Sequence, residues 1–415
     1  MVGLVREPDL PRVGWRFIAL YSLAFMSTSL VLIAPLLVTL ALKVSSLVGI
    51  EKAPNSLALV VGTGALVAMF GNPLAGRMSD RTSSRLGMRR PWLIIGLLGG
   101  SVGVLVVALA PSIPVVLVGW CVAQLFFNAL LAAMVAVLPD QVPPTQRGTV
   151  AGILGVCLPV ASVGATFMVD LFSASRIAMF LVPCAFGGFF ILLFAATLAD
   201  RRLDPAARPG WSLREFAGTF YVNPVKNPDF TWAFASRFML VLAYAFLVTY
   251  QAYFLIDRIG TAQGEVARRI FLGTLAQSAF VVATSLVSGR LSDRIGRRKV
   301  FVLAASVTYG LALVVIALAS TFSGYLVGMA LSGVGFGMYM AVDLALVVDV
   351  LPDEAEAAKD LGVLNFAGAL PFAVAPALAP AILSAGGGSY VVLYAVAAAC
   401  AIVGAVAIVP VRGVH

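Results

Sequence analysis

The sequence predicts an all-α polytopic membrane protein: twelve transmembrane helices forming two pseudo-symmetric six-helix bundles. Composition, a count of apolar windows and an internal repeat predict it. Of 415 residues, 61% are hydrophobic and 11% charged, and the mean hydropathy is +1.01. A soluble domain carries about 25% charged residues. This chain therefore has too little charge to coat a water-facing surface, and too much apolar content to be disordered.

A helix needs about 20 apolar residues to cross the hydrocarbon core. That ruler places six spans in the first half, at roughly 14–40, 56–76, 92–110, 112–138, 149–170 and 176–199. Six more follow at roughly 230–256, 266–289, 299–320, 322–349, 360–384 and 388–410. The bundles then cover 1–199 and 230–415, joined by a polar loop over 200–229. The first span is too long for a cleaved signal peptide, and acids as well as bases precede it. In the loop, Trp211, Leu213, Phe216 and Phe220 fall near helical spacing. Two readings stay open there, a short helix at the membrane interface and a plain tether. Gly362, Gly368, Pro371, Pro376 and Pro380 predict a bent eleventh span.

Positive charge sets the orientation. With both termini cytoplasmic, inner segments hold 21 of the 28 Lys and Arg and outer segments hold 6, while Arg237 lies within a span. The net charge of +9 thus reports orientation in a cell inner (plasma) membrane rather than a nucleic-acid partner. Cys121, Cys157, Cys184 and Cys400 sit in apolar stretches without metal-ligand spacing and read as small buried hydrophobes. The single histidine is the last residue, His415. No phosphate-cradling Gly-Lys-Ser/Thr loop is present, which argues against direct ATP use. Without a cluster of catalytic groups at one depth, the chain reads as neither an enzyme nor a cofactor binder.

The repeat is found by comparing the halves. Gly76-Arg77-Met78-Ser79-Asp80-Arg81 returns as Gly289-Arg290-Leu291-Ser292-Asp293-Arg294, an offset of 213. Val137-Leu138-Pro139-Asp140 returns as Val350-Leu351-Pro352-Asp353 at the same offset of 213. Two motifs at one offset indicate a duplicated six-helix unit, an architecture that places a solute site between the halves.

The run from Gly289 to Lys299 resembles the signature loop between the second and third helices of major facilitator superfamily transporters. Gly76 to Arg90 is the same motif with four extra residues between Arg81 and Gly87. The longer form, Ser79 to Trp92, is similar to the sucrose-transporter and glycoside–cation symporter branch, as is Lys359-Asp360-Leu361-Gly362 followed by Asn365 and Pro371. Gly152, Gly155, Pro159 and Gly164 match the glycine-rich fifth helix of drug–proton antiporters only loosely. The resemblance implies a cytoplasmic latch between the halves, formed by Asp80, Arg81, Arg90, Asp293, Arg294 and Arg298. Physically, the acids can accept from arginines and face helix N-termini, while the arginines also enforce orientation.

An ionisable group inside the membrane is a functional hypothesis by default. Asp343 and Arg237 each lie about seven residues from the cytoplasmic ends of their spans, hence roughly 10 Å deep on the same face. The resemblance implies that the first, fourth, seventh and tenth helices line the cavity, so the two can pair, either as a proton switch or as a structural staple. Tyr244 and Gln251 follow Arg237 at intervals of seven on one helix face, and Gln124 and Asn128 share another. Gln277 and Asn365 are isolated amides in apolar surroundings. Amides beside aromatic rings suit hydroxyl-rich solutes, and they equally serve as bonds between membrane helices. The reading expected is a monomeric, proton-coupled secondary transporter of a small polar solute, with sugars or glycosides preferred. The alternative is a proton-coupled exporter of amphipathic drugs or lipids.

Overall fold

The structure is a computed structural model that describes residues 11–203, 227–295, 297–349, 363–364 and 366–411, with backbone alone at 293 and 344–349. Most of the central loop, Lys359 to Gly362, Asn365 and His415 lie outside the described residues, as does the side chain of Asp293. Twelve helices among the described residues are long and apolar enough to span a membrane. They are α1 Trp15–Val48, α2 Ala53–Asp80, α3 Arg90–Leu109, α4 Ile113–Gln141, α5 Pro144–Leu171 and α6 Ala178–Thr197. The second six are α7 Pro228–Asp257, α8 Val266–Ile295, α9 Arg298–Leu318, α10 Phe322–Asp349, α11 Pro371–Ala385 and α12 Tyr390–Ala407.

The windows read from sequence each contain one helix. The largest difference is α1, expected to stop near residue 40. Pro35 lacks an N–H and clashes with the preceding turn, and the chain answers with a π-helical stretch, Pro35–Thr39, in which Leu40 N donates to Pro35 O. The helix then resumes to Val48. α5 also begins earlier than hydropathy suggests, because Pro144 at its first turn fits helical φ without an N–H to satisfy.

The packing repeats between halves. In the first, α1 lies on α5 and α6, α4 on α2 and α3, and α3 on α6. In the second, α7 lies on α11 and α12, α10 on α8 and α9, and α9 on α12. Close approach in the first half is made by Gly96, Gly100 and Gly103 of α3, whose absent side chains admit α4. In the second half the glycines sit on the other partner, Gly328 and Gly335 of α10 against α9. Small residues at such seams replace a hydrophobic driving force that lipid does not supply.

The halves meet along two seams, α2 on α11 and α5 on α8. They also meet where the late parts of α1 and α7 touch. There Tyr253 Oη donates to Ala41 O at 3.1 Å, Gln251 Nε2 donates to Leu37 O at 3.5 Å, and Tyr325 Oη donates to Gln251 Oε1 at 3.1 Å. In its most apolar window, α7 is 83% buried, against 33% for α5 or α8, so α7 is the central strut. This closure lies opposite the face that carries the two signature loops.

Tyr253→Phe removes one closing hydrogen bond, worth about 0.6 kcal/mol between membrane helices. In a cysteine-free background spin-labelled at Arg85 and Arg297, we expect the population with the signature loops closer together to rise about threefold. An unchanged distance distribution would remove Tyr253 as a closing contact.

Candidate functional site

Arg89 organises the signature loop of the first half. Its guanidinium reaches Asp80 at 2.6 Å, Asp140 at 2.7 Å and the Ser79 hydroxyl at 2.9 Å. The two motifs found by repeat, the signature and Val137–Asp140, therefore meet on one arginine. Burial works against that charge, but the bonds and attraction from Asp140 and Asp80 outweigh it and hold the guanidinium above its ordinary value. Asp200 completes the arrangement by accepting from the backbone N–H of Arg89 at 2.7 Å and of Arg90 at 2.8 Å, capping α3. Gly87 makes room for it. Its φ is +105°, and a Cβ there would lie 2.3 Å from the Asp200 carboxylate.

The sequence reading named Arg90 for the latch, and the structure gives Arg90 a different task. Arg90 Nη2 donates to the carbonyls of Ala196 and Leu198 at the end of α6. In the other half Lys299 Nζ donates to Val409 and Val411 at the end of α12. Each acceptor is displaced by 213, a third repeat that the Arg-to-Lys change hides. Removing the four extra residues aligns Arg89 with Arg298 and Arg90 with Lys299. Asp80, Arg89 and Arg90 bond within the first half rather than across the halves. Arg294 is exposed in the last turn of α8, and Arg81 follows the end of α2.

Deeper in the membrane, Arg237 Nη1 and Asp343 Oδ2 lie 2.8 Å apart, with side chains 20% and 11% exposed. They join α7 and α10, which also meet through Tyr244–Phe336 and Tyr325–Gln251. Gly368 of the segment leading into α11 forms the third wall, since a Cβ there would lie 3.5 Å from Arg237 Nη2.

Two cavities lie between the halves. The larger, about 570 Å³, lies between α1, α2, α4 and α11 and runs toward Arg77 near the signature face. Gln124 and Asn128 stand on its wall, with Asn128 Nδ2 donating to Gln124 Oε1 at 3.0 Å. The sequence reading missed Asn72, whose Nδ2 donates to Asn128 Oδ1 at 3.4 Å. It also missed Phe366 and Phe372, which face this amide wall from the second half. The smaller, about 250 Å³, lies between α5, α7, α8 and α10 and is lined by Tyr244, Gln251 and Gln277. Tyr244 stacks on Phe336 with centroids 4.6 Å apart and meets Phe372 edge-on at 6.2 Å. Gln277 Nε2 donates to Ser332 Oγ at 2.9 Å, and Gln251 is engaged in the closure. The proposed solute residues thus divide into two groups, and Asn365 lies outside the described residues.

Arg89→Leu strips three acceptors of a shared donor. Losing hydrogen bonds to a charged group costs about 1.5–3 kcal/mol, discounted because Asp80 is half exposed. We expect a stability loss of about 2 kcal/mol, seen as a lower thermal midpoint in detergent, against under about 0.5 kcal/mol for the exposed Arg85→Leu. Equal midpoints would refute the organising role of Arg89.

Comparison with known proteins places this geometry. A mutant of the nucleoside transporter NupG has the same fold, with TM-score 0.74 over 94% of this chain and 98% of that one, at 15% identity. A D-xylose-proton symporter gives TM-score 0.71 over 95% and 98%, at 12% identity. A POT family transporter in complex with a thioalcohol-conjugated peptide gives 0.75 over 96% and 97%, at 12% identity. A search of curated protein sequences finds no match. The sequence profile of the Major Facilitator Superfamily matches residues 16–276 and 270–414. With both halves of the chain covered, and the fold shared, this multi-pass membrane protein belongs to the Major Facilitator Superfamily.

Proposed function

We propose that the chain is a proton-coupled secondary transporter of a small polar solute, with sugars or glycosides preferred, working by alternating access. The observation that carries this reading is the Arg237–Asp343 pair, the one deep acid–base contact among the described residues, set behind a cavity with an amide wall and aromatic rings. While Arg237 holds it, Asp343 is compensated as a carboxylate. If the helices part, an uncompensated charge in this site is expensive, and a proton takes the place of the arginine. Amides supply both donors and acceptors to hydroxyls, and ring faces cover the apolar side of a sugar. The named solutes of two structural neighbours, nucleoside and D-xylose, are hydroxyl-bearing, which supports the same class. The same reading puts the protein in a cell's inner membrane as a monomer with both termini cytoplasmic.

The test is proton flux into proteoliposomes carrying an internal pH dye, on addition of mono- and disaccharides. Sugar-triggered acidification is expected, and Asp343→Asn is expected to abolish it. Acidification that survives the mutation removes Asp343 as the proton carrier. Silence with every sugar, together with quenching by amphipathic cations, transfers the assignment to an exporter.

A second measurement separates a movable pair from a rigid staple. Breaking one partner of a static buried pair costs about 3–5 kcal/mol, while removing both is close to neutral. For a switch, Arg237→Leu leaves Asp343 free to bind a proton. Its thermal midpoint should then fall near that of Arg237→Leu with Asp343→Asn. A single variant far less stable than the double identifies the pair as a staple.

A further inference from the structure

The two cavities are one arrangement built twice. On α2 the larger is lined by Val61, Ala65, Ala68, Met69, Asn72 and Pro73. On α8 the smaller is lined by Thr274, Ser278, Val281, Val282, Ser285 and Leu286, each 213 residues beyond its counterpart. The opposite walls exchange in the same way. Ala369 and Phe372 of the α11 side face the larger cavity, and Val156 and Pro159 of α5, again 213 residues away, face the smaller. The duplication thus maps one cavity onto the other.

Their chemistry has diverged. In the larger lobe the polar wall is on α4, where Gln124 and Asn128 correspond to Gly333 and Gly337 of α10. In the smaller lobe it has moved to α8, where Thr274 and Ser278 replace Val61 and Ala65. One exchange explains how Gln277 comes to line the smaller lobe. It corresponds to Gly64, and the α10 residue packed on it, Gly333, corresponds to Gln124 by the 209 offset that also aligns Arg89 with Arg298. In the first half the Trp120 indole fills the space over Gly64, where a Cβ would lie 2.3 Å from it. In the second half α8 itself comes close, since a Cβ at Gly333 would lie 2.3 Å from the Gln277 backbone carbonyl oxygen, and the Gln277 amide turns to Ser332.

Small-molecule sites occupy about 300–1,000 Å³. The larger lobe falls in that range at about 570 Å³, and the smaller, at about 250 Å³, falls below it. Tyr244 lines the smaller lobe and Phe372 the larger, and their rings meet edge-on at 81°. We propose that the smaller lobe is a second subsite for the same solute, which is a two-ring polar compound. One ring lies on the Gln124–Asn128 wall, the other presents its polar groups to Thr274, Gln277 and Ser278, and the linkage passes the Tyr244–Phe372 edge. This rests on the sugar or glycoside reading above.

Gly155 of α5 lines the smaller lobe, and a Cβ there meets nothing within 4 Å, so Gly155→Leu fills the lobe without a clash at Cβ. Counterflow in proteoliposomes needs no net proton movement and so tests binding apart from coupling. The probes are sucrose with glucose, and uridine with ribose. In the wild type, at least one two-ring probe should compete roughly tenfold better than its single ring, about 1.4 kcal/mol. Gly155→Leu, and independently Ser278→Val, should erase that advantage and leave the single ring within about twofold. Variants that leave the two-ring advantage intact, or weaken both probes equally, overturn the second subsite while the sugar reading stands. A wild type that exchanges none of the four overturns the sugar reading, and the subsite with it.

Discussion

A polar group inside hydrocarbon is stabilised by a partner within the protein, and this constraint accounts for the backbone of the fold and for many of its polar side chains. It makes the spans helical, since a helix satisfies its own backbone. It sends Thr28, Thr63, Ser162 and Thr166 hydroxyls back to carbonyls four residues earlier on their own helices. It sends Lys43 Nζ to the free Ala108 carbonyl near the end of α3 at 2.8 Å. Arg90 and Lys299 do the same at the ends of α6 and α12.

Duplication supplies the second constraint. Two copies of one six-helix unit pack by the same contacts, yet each copy has spent its freedom differently. Most glycines that admit close packing lie on α3 in one half and on α10 in the other, with Gly119 of α4 the shared position. Trp120 closes the space over Gly64 of α2, while the α8 counterpart of Gly64 is Gln277, an amide. Backbone geometry is therefore shared between the halves while side-chain chemistry is not. An asymmetric solute needs walls of that kind: equivalent in shape and position, different in the groups they offer.

Much of this was legible in the sequence because the signals were long or repeated. Twelve apolar windows survive errors of several residues at their ends, and α1 shows the limit, since a proline-induced π turn lengthens a helix that hydropathy had ended. The Arg237–Asp343 pair was legible because two charges at one depth in adjacent walls have few other partners. Arg89 was not, because four adjacent candidates of like charge precede α3 and only packing decides which one points inward. Its equivalence to Arg298 and the repeated Asp140 together held the missing signal. Asn72 was lost for a different reason: a single amide in an apolar window carries no periodicity, and only the approach of α4 gives it meaning.

The position of α11 links these constraints. Its approach segment presents Gly368 to the Arg237 guanidinium, while Ala369 and Phe372 face the larger cavity. The ion pair and the larger cavity therefore share one wall, at Gly368, where no side chain stands between the helix and the guanidinium. Phe372 also meets Tyr244, which lies seven residues beyond Arg237 on the same face of α7. A displacement of Phe372 by anything in the cavity is thus delivered to α7 at two heights, through the ring contact and through Gly368. Protein interiors are close-packed and resist gradual deformation. On the proposed alternating-access reading such a push is taken up by α7 or by Arg237, which is held by a 2.8 Å contact to an acid on another helix.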